Sequence, residues 1–179
     1  KNHDDWLMSP QYPPNGWKEL LETLVQCRLV GVEENGHHYF LGEEERKFCN
    51  GGWFEHYVFR LLKDKFGLKR AYARMNVTIK KADVINELDC ALVSQGALFL
   101  LECKTANLRR QADTGFSVAS AVLYKIAELT RNQGLSARGI VLSAFKVRPD
   151  DQKRAKLFGV RVLDNFKTLE QDLRQALRL

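Results

Sequence analysis

Asp89, Glu102 and Lys104 are ionisable residues set in strongly apolar chain, with 88-LDCALV-93 around the first and 97-ALFLLEC-103 around the second. A carboxylate is costly to bury unless something pairs with it or coordinates it. Two acids and a lysine converging from adjacent strands have one common physical solution, a bound divalent cation. That is the layout of a metal-dependent phosphodiesterase site. The bland alternative is a set of structural ion pairs, Glu87 with Lys104 and Asp89 with an arginine. Buried ion pairs seldom stabilise enough to explain two acids and a lysine in one hydrophobic hairpin.

Residues 86–93 and 97–104 are short apolar runs separated by turn residues, which predicts two antiparallel strands. Alternate residues of a strand share a face. Asp89 then shares a face with Glu87 and Ala91, and Glu102 with Leu98, Leu100 and Lys104. A two-residue loop, Gln95-Gly96, or a four-residue loop, 94–97, sets Asp89 opposite Glu102 and Glu87 opposite Lys104. Opposed residues have β-carbons roughly 4.5–5.5 Å apart, close enough for two carboxylates to share a cation. A three-residue loop would turn the two acids to opposite faces.

With those residues in view, the chain resembles the PD-(D/E)XK nuclease core. That core has a helix, three strands with Asp in the second and Glu-x-Lys in the third, then a helix and a further strand. Residues 51-GGWFEHYV-58 resemble the first helix of the core, and 86-NELD-89 with 101-LECKT-105 resemble its central hairpin. Together with Leu123-Tyr124-Lys125, Leu129 and Gly134, they are similar to the C-terminal nuclease domain of CRISPR ancillary nucleases that carry an N-terminal CARF sensor. The resemblance spans about residues 48–165. It implies an α/β, restriction-endonuclease-like fold, a mixed central sheet flanked by helices; the helix and hairpin before it read as a small winged-helix-like element or as a packing or dimer element.

The resemblance also implies Mg²⁺ or Mn²⁺, held by Asp89, Glu102 and the backbone carbonyl of Cys103. Lys104 would orient or help deprotonate the attacking water, with Glu87 positioning it. Lys125 could reach the scissile phosphate by the resemblance; by periodicity alone it is a surface lysine. Glu55 is either a third acid of the metal site or a favourable charge near a positive helix end. The implied activity is endonucleolytic cleavage of single-stranded RNA or DNA in type III CRISPR defence. The implied partners are nucleic acid, a second copy of the chain and a cyclic-oligoadenylate-binding domain in the parent protein. Other readings are a repair, restriction or junction-resolving nuclease of the same superfamily, or a nucleic-acid-binding module without catalysis.

The 179 residues suffice for one core domain and a small appendage. The division expected is a linker and winged-helix-like element over 1–47 and a nuclease domain over 48–179. No Rossmann-like sensor fits into the first 47 residues, so the chain is expected to be the effector half alone or a natural truncation. Net charge is +6, with a pI of about 9.2, which favours polyanionic partners. No apolar run approaches the roughly 20 residues a membrane span needs. Cys27, Cys49, Cys90 and Cys103 lack metal-ligand spacing, and His3, His37 and His38 lack a second ligand pair. Cys90 and Cys103, which would point away from the metal face, read as small core thiols, which suits a reducing, cytoplasmic setting.

Residues 1–14 read as a linker. Residues 15–27 predict an amphipathic helix with Asn15 as a possible cap, and 29–41 a hairpin turning at Glu34-Asn35-Gly36. A helix over 51–66 would bury Phe54, Val58, Leu61 and Leu62. A strand over 71–80 precedes the hairpin, and a basic loop over 105–115 brings Arg109 and Arg110 after Lys104. A helix over 117–132, a strand over 139–144, a helix from Asp150, a strand over 160–163 and a helix over 165–178 complete the pattern.

Overall fold

The computed structural model of the chain describes residues 15–69, 72–81, 83–109 and 117–179. The expected linker at 1–14 lies outside them. The chain parts into two compact units, a first ending at Trp53 and a second over Phe54–Leu179.

The first unit holds helix α1 (Trp17–Gln26), a two-stranded antiparallel sheet of β1 (Val30–Val32) and β2 (His38–Phe40), and helix α2 (Glu43–Lys47). This is the expected helix and hairpin. Asn15, however, is not the cap of α1. Gly16 takes that place at φ 82°, and no side chain caps the helix. The hairpin turns as its sequence predicts: Gly36 sits at φ 81°, and Asn35 Oδ1 accepts from the His37 N–H at 2.9 Å. A wide turn, Phe48–Gly52, joins α2 to α3 (Trp53–Arg60), and Gly51 breaks the helical path there at φ 147°.

The second unit is built on five strands: β3 (Ala73–Lys81), β4 (Val84–Ser94), β5 (Ala97–Lys104), β6 (Ala137–Ser143) and β7 (Val160–Leu163). They lie in sequence order, antiparallel through β3, β4 and β5 and parallel through β5, β6 and β7. Parallel neighbours need crossover connections. Helices α4 (Val118–Asn132) and α5 (Pro149–Leu157) supply them, and α6 (Leu169–Ala176) closes the unit. This is the mixed, helix-flanked α/β sheet that the sequence predicts.

One face of the sheet packs Leu88, Leu100 and Val141 against Leu123, Ile126 and Ala127 of α4. The alternate positions Phe99, Leu101, Ile140 and Leu142 are also buried and fall on the other face. The predicted stripe of α3 and the turn after it, Phe54, Val58, Leu61 and Leu62, is buried throughout. Phe54 and Tyr57 meet the ring of Phe166, which precedes α6. Gly139 lets α4 approach β6 closely. A β-carbon there would stand 2.5 Å from Ile126 Cγ2 and 2.7 Å from Thr130 Oγ1.

Helix α4 is anchored at its start. Ser117 caps it by accepting from the Ser120 N–H, and its hydroxyl donates to Asp151 Oδ1 on α5 at 2.7 Å. Arg154 donates to the same oxygen at 3.0 Å and also to Ser120 Oγ.

Candidate active site

The Gln95-Gly96 turn fixes the register of the central hairpin. Both residues have positive φ, 48° and 73°, the twist that a two-residue hairpin turn demands. The ladder runs from Ser94↔Ala97 to Cys90↔Leu101 and stops one pair short of Asp89 and Glu102. On its other edge β4 pairs Met75↔Cys90 and Val77↔Leu88, skipping Asn76 and Asp89. Asn76 sits there at φ 50°, a left-handed conformation that asparagine tolerates better than most residues. Asp89 is therefore unpaired along both edges of its strand.

The site fills the place where pairing stops. Asp89 Oδ2 accepts from the Cys103 N–H at 2.6 Å. On the far side of β5, Lys104 turns its carbonyl toward β6, where the Ala144 N–H donates to it at 2.9 Å. Strand alternation then turns the N–H and carbonyl of Cys103 the other way, toward Asp89.

Glu102 is only 2% exposed and shares the α4 face with Leu98 and Leu100. Two ammonium groups meet it. Lys104 Nζ lies 2.8 Å from its Oε1, and Lys125 Nζ donates to Oε1 at 2.9 Å and to Oε2 at 3.0 Å. Lys104 also stands 3.9 Å from Asp89 Oδ2. Lys125 is thus part of the site and not a surface lysine. Its stem leaves α4 beside the buried stripe and carries the charge over to β5.

Burial raises the Asp89 carboxyl, and the charge of Glu102 raises it further against the Cys103 N–H and the lysines. Burial also raises the Glu55 carboxyl, with Asp89 and Glu102 adding to it and Lys104 opposing. Burial pulls the Lys104 ammonium down, but the hydrogen bond and charge of Glu102, with Asp89, outweigh it and leave it raised. Burial pushes the Cys90 thiol up to about 12 and raises that of Cys103 as well.

Glu87 stands apart from this cluster. It pairs with Thr78 of β3, is exposed, and makes no ion pair with Lys104 among the described residues. The expected Glu87–Lys104 pairing does not form, because β4 and β5 separate before reaching it. Arg109 is exposed in the loop after β5, and Arg148 donates to its carbonyl. Arg110 lies outside the described residues.

The donor set suits a hard cation. Asp89 and Glu55 are acids short of positive charge, and Mg²⁺ typically takes one or two carboxylates and fills its remaining positions with water and phosphate oxygen. Among the described residues no three of His, Cys, Asp and Glu already form a metal cage. The charges of Asp89, Lys104 and Glu102 all act on the Glu55 carboxyl, which places it near the pair.

A mixed sheet with an acid where one strand parts from the next, Glu-x-Lys at the end of the neighbour and a lysine from the crossover helix, defines a restriction-endonuclease-like nuclease domain. A model of the Card1-like endonuclease domain family matches residues 42–178. The chain belongs to that family. Among solved structures it is similar to protein VC1899 from Vibrio cholerae, at 30% identity and a TM-score of 0.76, covering 96% of this chain and 45% of that one. It is also similar to Can2 from Sulfobacillus thermosulfidooxidans in complex with cyclic tetra-adenylate, at 26% identity and a TM-score of 0.77, covering 96% and 47%. The chain thus spans a little under half the length of each. No curated protein matches it significantly. Among the described residues no helix is long and apolar enough to cross a membrane.

Proposed function

We propose that this endonuclease domain hydrolyses phosphodiester bonds of single-stranded RNA or DNA with Mg²⁺ or Mn²⁺. We also propose that it serves type III CRISPR defence as the effector of a longer, homodimeric protein. One observation carries the catalytic reading. Glu102 is almost fully buried, yet it is shared by two lysines and directed to the place where Asp89 leaves its strand ladder.

Asp89, Glu102 and the Cys103 carbonyl would hold the cation. A bound cation would supply positive charge for the phosphate and make a bound water a better acid. Lys104 stays charged against Glu102, orients the attacking water and neutralises charge that develops in the transition state. Lys125 fixes the Glu102 carboxylate from α4 with two of its three donors and offers the third to the phosphate. Glu55 sets the charge at the rim. Similarity to Can2, solved with cyclic tetra-adenylate, supports gating by a cyclic-oligoadenylate sensor outside these 179 residues.

The test incubates the protein with labelled single-stranded RNA and DNA, in manganese and in excess chelator. Cleavage is expected in manganese only. Asp89→Ala, Glu102→Ala and Lys104→Ala should each lower it by about 10³-fold or more, the scale of removing a transition-state electrostatic partner. Full activity in chelator, or near-wild-type rates for two of the three variants, would overturn the assignment.

A further inference from the structure

We propose that a second pocket, at the end of the sheet away from the catalytic acids, binds a phosphate group through Arg138, Arg161 and Arg178. The pocket measures about 160 Å³ and opens beside the Ser94–Ala97 turn. Arg138 lies on β6 and Arg161 on β7, while Arg178 follows α6.

The fold brings these three charges together. Ile140 pairs with Arg161, and Arg138 lies two residues before Ile140, so both guanidiniums leave the same face of adjacent parallel strands. Arg178 is placed by its backbone, held at φ 58° with its N–H donating to the Gln175 carbonyl at 3.2 Å. The neighbouring Leu177 carbonyl accepts from Ser94 Oγ at 3.3 Å, which ties this end of the chain to the hairpin turn.

The charges are not compensated. No Asp or Glu lines the pocket among the described residues. Arg138 uses Nη1 on the carbonyls of Leu135 and Ala137, at 2.8 and 2.9 Å, which orients the group and leaves its other donors open. The side chains of Arg161 and Arg178 make no hydrogen bond or ion pair with any described residue. Like charges gathered in a concavity concentrate anions there. A guanidinium fork matches phosphate geometry, and three such groups match the charge of a phosphate better than that of one carboxylate.

This is not the catalytic site. The nearest pocket residue on β5, Phe99, lies three residues from Glu102, about 10 Å at the rise of an extended strand, and on the opposite face of the sheet. The phosphate could belong to a nucleic-acid strand or to a small free anion, and the experiment separates the two. Because it reads binding and not cleavage, its outcome is independent of the catalytic reading.

The whole chain is titrated in chelator with a fluorescein-labelled 20-nucleotide single strand, by anisotropy at several salt concentrations. Pyrophosphate is titrated separately by calorimetry. The variant Arg138→Gln/Arg161→Gln/Arg178→Gln is compared with Lys63→Gln/Lys69→Gln/Lys167→Gln, which removes equal charge elsewhere. The double variant Arg161→Gln/Arg178→Gln keeps Arg138 and its carbonyl hydrogen bonds, as a safeguard for folding. Strand binding should weaken about tenfold in the arginine triple and severalfold in the double. The salt slope should fall by about 0.7 for each phosphate that the variant no longer neutralises. Loss of pyrophosphate binding with strand binding intact would identify a small-anion site. Arginine variants that match the lysine control with both probes would overturn the proposal.

Discussion

Asp89 and Glu102 are both carboxylates in apolar strands, but their surroundings differ. Glu102 has two ammonium partners, whereas Asp89 has one backbone N–H and a distant lysine. Its raised carboxyl means that the folded chain resists ionising it. Between the ordinary carboxylate range and the raised value the folded state binds more protons than the unfolded one, so stability falls as pH rises through that window. Asp89→Asn should therefore stabilise the metal-free protein at neutral pH while abolishing cleavage, since the amide oxygen can still accept from Cys103. Thermal melting in chelator should show a rise of about 2–4 °C, the effect of ~1 kcal/mol in a chain of this size. A fall would show that the ionised carboxylate is needed for the fold. The acids and Lys104 were legible from residue type and spacing. Asn76 was not, because only its backbone conformation distinguishes it from the rest of β3, although asparagine inside a strand pattern is itself a weak sign of left-handed backbone. Lys125 escaped periodicity, which reports where a Cα faces and not how far a long side chain reaches.

The distance between helix α4 and strand β6 decides whether Lys125 reaches Glu102. Gly139 sets that distance, because Ile126 is fully buried and branched and cannot move aside from an added methyl group. Gly139→Ala should lower stability by about 1–3 kcal/mol, the usual cost of overpacking. It should also lower cleavage beyond what the smaller folded fraction explains. Urea denaturation and turnover on the same samples would check both, and unchanged values would mean that α4 has slack. The order and type of the sheet strands and of α1, α4, α5 and α6 were legible, because apolar periodicity switches between 2 and 3.6 along the chain; the short, charged α2 was not, because Glu43–Lys47 buries no apolar stripe. The hairpin register was legible only as a choice among loop lengths, which Gln95 and Gly96 settle through positive φ. The point where β4 and β5 stop pairing was not legible, since the apolar run continues through it.

Strand pairings in the second unit rise in sequence separation from the antiparallel meander to the parallel half. The antiparallel meander joins near neighbours: Ser94 meets Ala97, and Ala73 meets Leu92. The parallel half joins distant ones: Leu98 meets Ala137, and Lys125 reaches back 23 residues to Glu102. Closing long loops costs entropy before any interaction compensates, so local pairings tend to form early. The meander should be structured in the folding transition state, and the crossover through α4 should dock afterwards. Stopped-flow chevrons would test this order. Leu92→Ala should chiefly slow folding and Val141→Ala chiefly speed unfolding, and the reverse pattern would refute it. On this order Asp89 and Glu102 are brought together first, and Lys125 completes the site only when the second half of the sheet is in place. An emerging chain would then hold its acids together before it could cut, which delays nuclease activity until synthesis has passed β6.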